Sequence, residues 1–270
     1  MRPGLFWNVF TIEARKRMAY RADFWLNSVV AILVSFSVFW FLTHALFAAS
    51  GQTTLAGFTP RGMVLYYVFV ILMGRIVQSN ELELGIAQDI YEGSLNRYLI
   101  YPVPYAAVKF AEQAGALAPQ VVQMGLFGIL APLVVGIPAE IRITPASVAM
   151  CLVSLALANL LHYLLIFPIH AVAFWADNVW SLMVAERFAI SLLGGLLLPL
   201  SLFPDWVRAP LSWLPFPYLF SVPVRTLLGQ VGFEEWATGL GVALAWCFVA
   251  ALAGRWVWRR GDLQYTGVGI

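Results

Sequence analysis

Charged side chains are scarce in this 270-residue sequence: they make up 11% of it, whereas hydrophobic residues make up 61%. A soluble domain usually has about 25% charged and about 45–50% apolar residues. A water-soluble fold of this length could not bury so much apolar surface, so lipid must solvate part of it. The net charge of +2 is too small to indicate a nucleic-acid partner. The composition therefore predicts an integral membrane protein.

Cysteine and lysine are also rare, and each scarcity argues against a kind of site. Cys151 and Cys247 lie in apolar runs without metal-ligand spacing, which favours a buried structural role over a zinc site or a disulfide framework. Neither Lys16 nor Lys109 is followed by the serine or threonine that completes the phosphate-binding loop of an ATPase. We expect no catalytic site, metal or bound cofactor in this chain. If ATP drives the protein, another polypeptide hydrolyses it.

Long apolar runs, in contrast, are abundant. A helix needs roughly 20 apolar residues to cross the hydrocarbon, and unbroken runs favour helices over the alternating strands of a barrel. The predicted spans are residues 24–47, 62–80, 113–135, 146–171, 188–203 and 236–254. The fifth of them is short and is broken by Gly194, Gly195 and Pro199. We predict an all-α integral membrane protein with one domain and six transmembrane helices.

Basic residues are concentrated on one side of this arrangement. The two terminal segments and the connectors after the second and fourth spans hold eleven arginines and lysines, and the opposite side holds four. Positively charged loops are retained in the cytoplasm. Both termini are therefore predicted to be cytoplasmic.

The first polar segment, residues 1–22, predicts an amphipathic helix. Leu5, Val9 and Ile12 recur at helical spacing, and basic residues follow them. Such a helix is expected to lie on the inner leaflet. The alternative is a solvated basic arm.

The connector of residues 81–105 is the longest polar insertion on the cytoplasmic side. Leu82, Ile86 and Ile90 fall on one helical face, and Gly93 provides a stop. A simple turn would need far fewer residues. We predict an amphipathic helix below the membrane that can dock a partner.

The third segment, residues 204–235, has too many prolines for a spanning helix and too many aromatic residues for a solvated loop. We predict two short helices that enter the outer leaflet and return, because aromatic side chains favour the interface and proline interrupts helices. The residues that define this hairpin are Pro204, Trp206, Trp213, Pro215, Phe216, Pro217 and Tyr218.

Three polar residues inside the predicted spans are candidates for a substrate pathway. Arg75 could line such a path or extend toward the cytoplasmic headgroups. His162 and His170 lie two turns apart on one face, where a metal pair, a proton relay or hydrogen bonding between helices are alternatives. Helix–helix hydrogen bonding is favoured, because no carboxylate or cysteine joins the histidines at ligand spacing. The predicted spans contain no central carboxylate, which weighs against an ion-coupled transporter.

The complete arrangement resembles the type-2 ABC exporter permeases, and the local sequence resembles a bacterial branch of that family. Residues 89–102, DIYEGSLNRYLIYP, look like the coupling segment, although Asn96 replaces an expected acid. The fifth-span and hairpin signature is matched by Phe174-Trp175, Gly194-Gly195, Pro199, Leu202-Phe203-Pro204 and Leu214-Pro215-Phe216.

The resemblance implies a permease subunit in the bacterial cytoplasmic membrane, with ATP and magnesium bound by separate ATPase subunits. A second permease, identical or related, would complete the pathway. The implied ATPase-coupling residues are Ile86, Asp89, Ile90, Glu92, Gly93, Leu95 and Arg97. Asp89 and Glu92 are expected to pair with basic ATPase side chains. The alternatives are a membrane anchor or assembly subunit and a secondary transporter, neither coupled to an ATPase.

Overall fold

A computed structural model describes residues 3–19, 21–55, 57–78, 80–100 and 102–265. In these ranges the regular elements are helices, apart from one antiparallel bridge between Leu55 and Phe58. The all-α prediction is confirmed. The α-helices are α1 (Pro3–Ala19), α2 (Arg21–Ser50), α3 (Pro60–Val77), α4 (Asn80–Tyr91), α5 (Asn96–Leu99), α6 (Tyr105–Ala116), α7 (Ala118–Val135), α8 (Pro145–His170), α9 (Trp180–Leu193), α10 (Asp205–Leu211), α11 (Ser221–Leu227) and α12 (Phe233–Asp262).

Five helical stretches among the described residues are long and apolar enough to cross a membrane. They are Ser28–Ser50, Pro60–Val77, Tyr105–Val135, Pro145–Phe174 and Phe233–Asp262. Each overlaps one of the predicted spans. The third starts earlier than predicted, because α6 continues into α7 through the single residue Leu117.

The predicted fifth span, residues 188–203, is interrupted after Leu193, in line with the expected break at Gly194 and Gly195. Helix α9 begins before it, at Trp180, and ends at Leu193. Gly195 then adopts a φ of 90°, a left-handed conformation that glycine accepts and that stops a right-handed helix. After Pro199 the chain forms only a short 3-10 turn, Leu200–Leu202.

Helix α3 is the centre of the bundle, since 14 of its 18 residues are buried. Pro60 occupies its first turn, where a missing N–H costs nothing, and the Thr59 side chain accepts a hydrogen bond from the Gly62 amide at 3.2 Å. The helix packs against α2, α7, α8 and α11. Most of the hydrophobic core therefore surrounds this one helix.

Glu140 joins two loops at the end of the bundle where α3 begins. Its carboxylate accepts hydrogen bonds from the backbone amide of Thr59, at 3.0 Å, and from the Thr59 hydroxyl. Burial opposes ionisation of this carboxyl, but the bonds from Thr59 outweigh it and lower the pKa of Glu140. The loops before α3 and before α8 are thus held together.

Helices α8 and α12 form a close pair beside α3. The Trp236 indole N–H donates to the Ser154 hydroxyl at 2.8 Å, which joins the first turn of α12 to the N-terminal half of α8. Cys151 on α8 and Cys247 on α12 are free and buried in the core. Both cysteines therefore act as small apolar core residues.

Helix α1 lies against α6. The two backbones approach closely at Gly115, where an added Cβ would collide with the carbonyl of Phe10. Trp7 and Ile12 are exposed on its open side. The N-terminal segment is helical as predicted, and its amphipathic character and its position on the inner leaflet stay predictions.

Candidate functional site

The predicted connector of residues 81–105 is largely helical. Helix α4 ends at Tyr91, and Gly93 follows with a φ of 70°, as predicted for a helix stop. The Leu95 amide then donates to the Asp89 carbonyl at 2.9 Å, which turns the chain back toward α5. Glycine is required in this turn, because other residues rarely adopt a positive φ.

One face of α4 is buried in a second hydrophobic cluster. Ile86, Ile90 and Leu95 have exposures of 2% or less, and they pack with aromatic residues of α6, α8 and the turn after α8. The predicted apolar face is confirmed for Ile86 and Ile90. The side chain of Leu82 lies outside the described part of the structure.

Asp89 does not face outward, contrary to the expectation that it would pair with an ATPase. It is 5% exposed, and its carboxylate lies 2.7 Å from the Lys109 ammonium. The hydroxyls of Ser94 and Tyr105 donate to it at 2.7 and 2.8 Å. The physical reason is that a buried carboxylate requires a charged partner and hydrogen bonds, and α6 supplies both.

The remaining neighbours of Asp89 extend this network. Arg97 donates to its carboxylate at 3.3 Å from an exposed position. Lys109 also lies 3.4 Å from Glu112 and 4.8 Å from the centre of the Tyr98 ring. The connector is thus tied to α6 by charge as well as by apolar packing.

The network also sets the ionisation of Asp89. Burial raises its pKa, but the bonds from Lys109, Ser94 and Tyr105 outweigh burial, so the pKa lies below its ordinary value. The stability that this ionisation contributes is present above the ordinary aspartate pKa. It is lost as pH falls through the lower folded-state value.

The opposite face of the connector is open. Glu92 is exposed and accepts a hydrogen bond from the Gln88 amide at 2.5 Å. Ile100, just after α5, is 77% exposed. An acid and a large aliphatic side chain are therefore both exposed on a segment whose buried side chains are fixed.

The predicted hairpin of residues 204–235 consists of short helical elements. Helices α10 and α11 have seven residues each, and a 3-10 turn, Phe216–Tyr218, separates them. A helix of seven residues is about 10 Å long and cannot cross the hydrocarbon. Residues 206–220 therefore contain no continuous helix of spanning length, and their depth in the membrane stays a prediction.

Aromatic and proline residues fix the shape of this hairpin. Pro204 precedes α10, and Pro215 precedes the 3-10 turn. The Tyr218 hydroxyl donates to the Ser212 carbonyl at 2.6 Å, and the Trp246 indole donates to the Trp213 carbonyl at 2.8 Å. Trp206 and Trp213 are 78% and 73% exposed, and Pro217 is buried.

The hairpin returns to the end of α9. The Ser221 amide donates to the Gly194 carbonyl at 3.0 Å, and the buried Tyr66 hydroxyl donates to the Gly195 carbonyl at 2.8 Å. A cleft of about 710 Å³ opens between the hairpin, α12 and the loop of Glu140. Arg208 and Arg225 contribute to its lining.

The three candidate pathway residues differ in their contacts. Arg75 donates to the Ser28 hydroxyl at 2.8 Å and thereby joins α3 to α2. His162 and His170 are buried on α8, with exposures of 1% and 0%. Neither ring nitrogen of His170 has a hydrogen-bond partner among the described residues, and neither does Nδ1 of His162. The expected helix–helix hydrogen bond is therefore wrong for His170, because no polar group in the described part of the chain lies within reach of its buried ring.

A family model described as ABC-2 family transporter protein matches residues 30–269. The chain belongs to the ABC-2 transporter family. Searches of curated proteins and of solved structures each returned no match. The resemblance to type-2 ABC permeases is confirmed, and the chain is an integral membrane component of a transport system.

Two residues that hold Asp89 in this ABC-2 permease are absent from the predicted coupling set. Lys109 and Tyr105 hold Asp89 but lie at the start of the third span, outside the coupling set. One signal was available: Lys109 is one of only two lysines and stands in an apolar helix. A lysine in such a position usually has a partner.

Proposed function

We propose that this chain is the permease subunit of an ATP-driven exporter. It would form the substrate pathway with a second permease, identical or related, and separate ATPase subunits would bind ATP and magnesium. The observation that carries the proposal is the connector of residues 81–105, which exposes one face and is joined to α6 on the other through Asp89 and Lys109. A segment fixed in this way can transmit a displacement to the membrane helices.

The proposed topology has six crossings. Helix α9 and the residues after Gly194 would make the fifth, and the α10–α11 hairpin would lie in the outer leaflet and shape the exit. The basic residues support a cytoplasmic position for both termini. Residues 53 and 235 would then face outward, and Glu92 would face inward.

Cysteine labelling tests this orientation. In a background with Cys151→Ala and Cys247→Ala, we expect an impermeant maleimide to label Thr53→Cys and Glu235→Cys in intact cells. Glu92→Cys should react only after permeabilisation. Reaction of Glu92→Cys in intact cells would contradict the orientation, and labelling of Thr53→Cys is the control for reagent activity.

The exposed face of α9 supports pairing with a second permease. Trp180, Val184 and Phe188 recur at intervals of four residues and are 47–62% exposed. Residues at this spacing form one stripe along a helix. Either a partner permease or lipid covers such a stripe. Disulfide crosslinking between two Phe188→Cys protomers in membranes would support the partner permease, and no crosslinking would support lipid.

The open face of the connector gives the sharpest test of ATPase coupling. We expect Glu92→Lys combined with Ile100→Asp to reduce copurification of a protein with Walker motifs by about tenfold or more, since an unfavourable charge at an interface costs several kcal/mol. ATP hydrolysis by the purified complex should fall in parallel. Both side chains are exposed, so the fold of the permease should not change.

Glu234→Lys is the matched control for the Glu92→Lys change, because it reverses the same charge at an exposed site. Glu234 lies in the first turn of α12, whereas the last turns of α12 pack near the connector. It should leave copurification and hydrolysis at wild-type values. If the Glu92 and Ile100 variant also keeps both values, the connector is not the docking element.

A further inference from the structure

A groove of about 550 Å³ opens on the surface between α6, α8 and α12. It lies at the same end of the bundle as the connector, because its wall includes Tyr105, whose hydroxyl donates to Asp89. The groove is distinct from the exposed face of the connector, where Glu92 lies, and from the cleft beside the hairpin. Neither the family match nor the proposed coupling role accounts for it.

Small residues of α12 leave the floor of this groove open. Ala250, Ala251 and Gly254 line it, and Phe167 of α8 lies against Gly254, where an added Cβ would be 3.3 Å from its ring. Leu164 adds to the apolar lining. The floor can therefore accept a flexible hydrocarbon chain.

Aromatic rings mark the level at which the groove reaches the membrane interface. The Trp258 ring stacks on Tyr105 at 4.7 Å and lies 5.2 Å from Phe167. Tryptophan and tyrosine concentrate at the level of lipid headgroups. These rings favour acyl-chain depth for the apolar floor and headgroup depth for the rim.

Two arginines form that rim. Arg255 and Arg259 are four residues apart on α12, so they share a helix face, and both line the groove and are exposed. Neither has an ion pair within the described ranges, and no acidic residue lines the groove. Arg260, in contrast, lies 5.6 Å above the Trp256 ring and outside the groove.

We propose that this groove binds an anionic phospholipid of the leaflet at this end of the bundle. Arg255 and Arg259 would hold its phosphate, since guanidinium groups bind phosphate through paired hydrogen bonds, and one acyl chain would lie over Ala251 and Gly254. Basic pockets between membrane helices bind anionic headgroups in this way. The lack of acidic lining favours an anionic lipid over one with an ammonium headgroup.

Lipid binding to the purified full-length protein tests the proposal without any transport measurement. We expect native mass spectrometry in mixed micelles to show retention of dioleoyl phosphatidylglycerol in preference to dioleoyl phosphatidylcholine. Arg255→Gln with Arg259→Gln should weaken phosphatidylglycerol binding by about fivefold per arginine, or about 25-fold in total. Arg260→Gln, on another face of the same helix, should keep wild-type retention.

A second variant tests the acyl-chain part of the site and keeps both arginines. Ala251→Trp fills the floor from an exposed position and should also displace the lipid. Equal retention of the two lipids by the wild-type protein would overturn the proposal. Wild-type phosphatidylglycerol binding in the double arginine variant would also overturn it. So would displacement of phosphatidylglycerol by soluble glycerol phosphate as effectively as by the lipid itself. These outcomes are independent of ATPase recruitment, so they do not bear on the proposed function.

Discussion

Replacing Lys109 with methionine is expected to lower the free energy of unfolding of this permease by about 3–5 kcal/mol, because it removes the buried cation of Asp89 and leaves only the exposed Arg97 beside the carboxylate. Both side chains are only 8% exposed, so water cannot take the place of the lost partner. Thermal unfolding of the purified protein in detergent measures the loss. Hydrogen exchange over residues 86–99 should rise first, because these residues depend on the ion pair.

The chain supplies its own control for this experiment. Lys16, the other lysine, is 62% exposed in a pair with Glu13 at 3.5 Å, and such surface pairs contribute less than about 1 kcal/mol. Lys16→Met should therefore have little effect on unfolding. If the two lysine variants unfold at the same temperature, the Asp89–Lys109 pair does not hold the connector.

A double variant separates the charge effect from a simple loss of packing. Asp89→Asn with Lys109→Met removes both charges, and removal of both partners is much less costly than removal of one. We expect it to recover most of the stability lost in Lys109→Met. Failure to recover would mean that the aliphatic stem of Lys109, rather than its charge, is what the fold requires.

The second large effect is expected at Gly195. Alanine there should lower the free energy of unfolding by about 2–5 kcal/mol, because backbone strain and a steric clash add together. Its φ is 90°, and an added Cβ would lie 2.9 Å from the Tyr66 hydroxyl and 3.1 Å from Cβ of Ser221. The substitution should also break the Tyr66 hydrogen bond that joins α3 to the segment after α9.

Gly51→Ala isolates the backbone part of this effect. Gly51 also has a positive φ, 63°, but an added Cβ would meet nothing within 4 Å. Its cost should be about 1–2 kcal/mol, the strain of a left-handed residue alone. Comparable unfolding temperatures for the two variants would show that the contacts around Gly195 are not tight.

The segments between spans could be predicted well because their signals are local. The spacing of Ile86 and Ile90 predicts a buried helical face, Gly93 predicts the helix end, and prolines predict the broken hairpin, as observed. The same kind of signal predicts the break of the fifth span at Gly194 and Gly195, where hydrogen bonds from Tyr66 and Ser221 stabilise the interrupted backbone. The start of α9 at Trp180, before residue 188, could not be predicted in this way.

The role of Asp89 could not be read from the sequence, because it depends on tertiary contacts. An acid on a polar connector is usually solvated, and its pairing with Lys109 requires α4 and α6 to meet. The histidine prediction failed for a related reason. Position on a helix face shows that His170 is buried, but it does not show whether a polar atom lies opposite its ring.

The junction of α6 and α7 at Leu117 would allow the third span to act as a lever. Helix α6 has 12 residues, or a length of about 18 Å, and Pro119 removes a backbone donor at the start of α7. A tilt of α6 by about 10° around Leu117 would move its Tyr105 end by about 3 Å, with α7 left in place. Because Asp89 and Lys109 join α4 to this arm, the connector and α6 would swing as one piece, and the amplitude would fall to zero at the pivot.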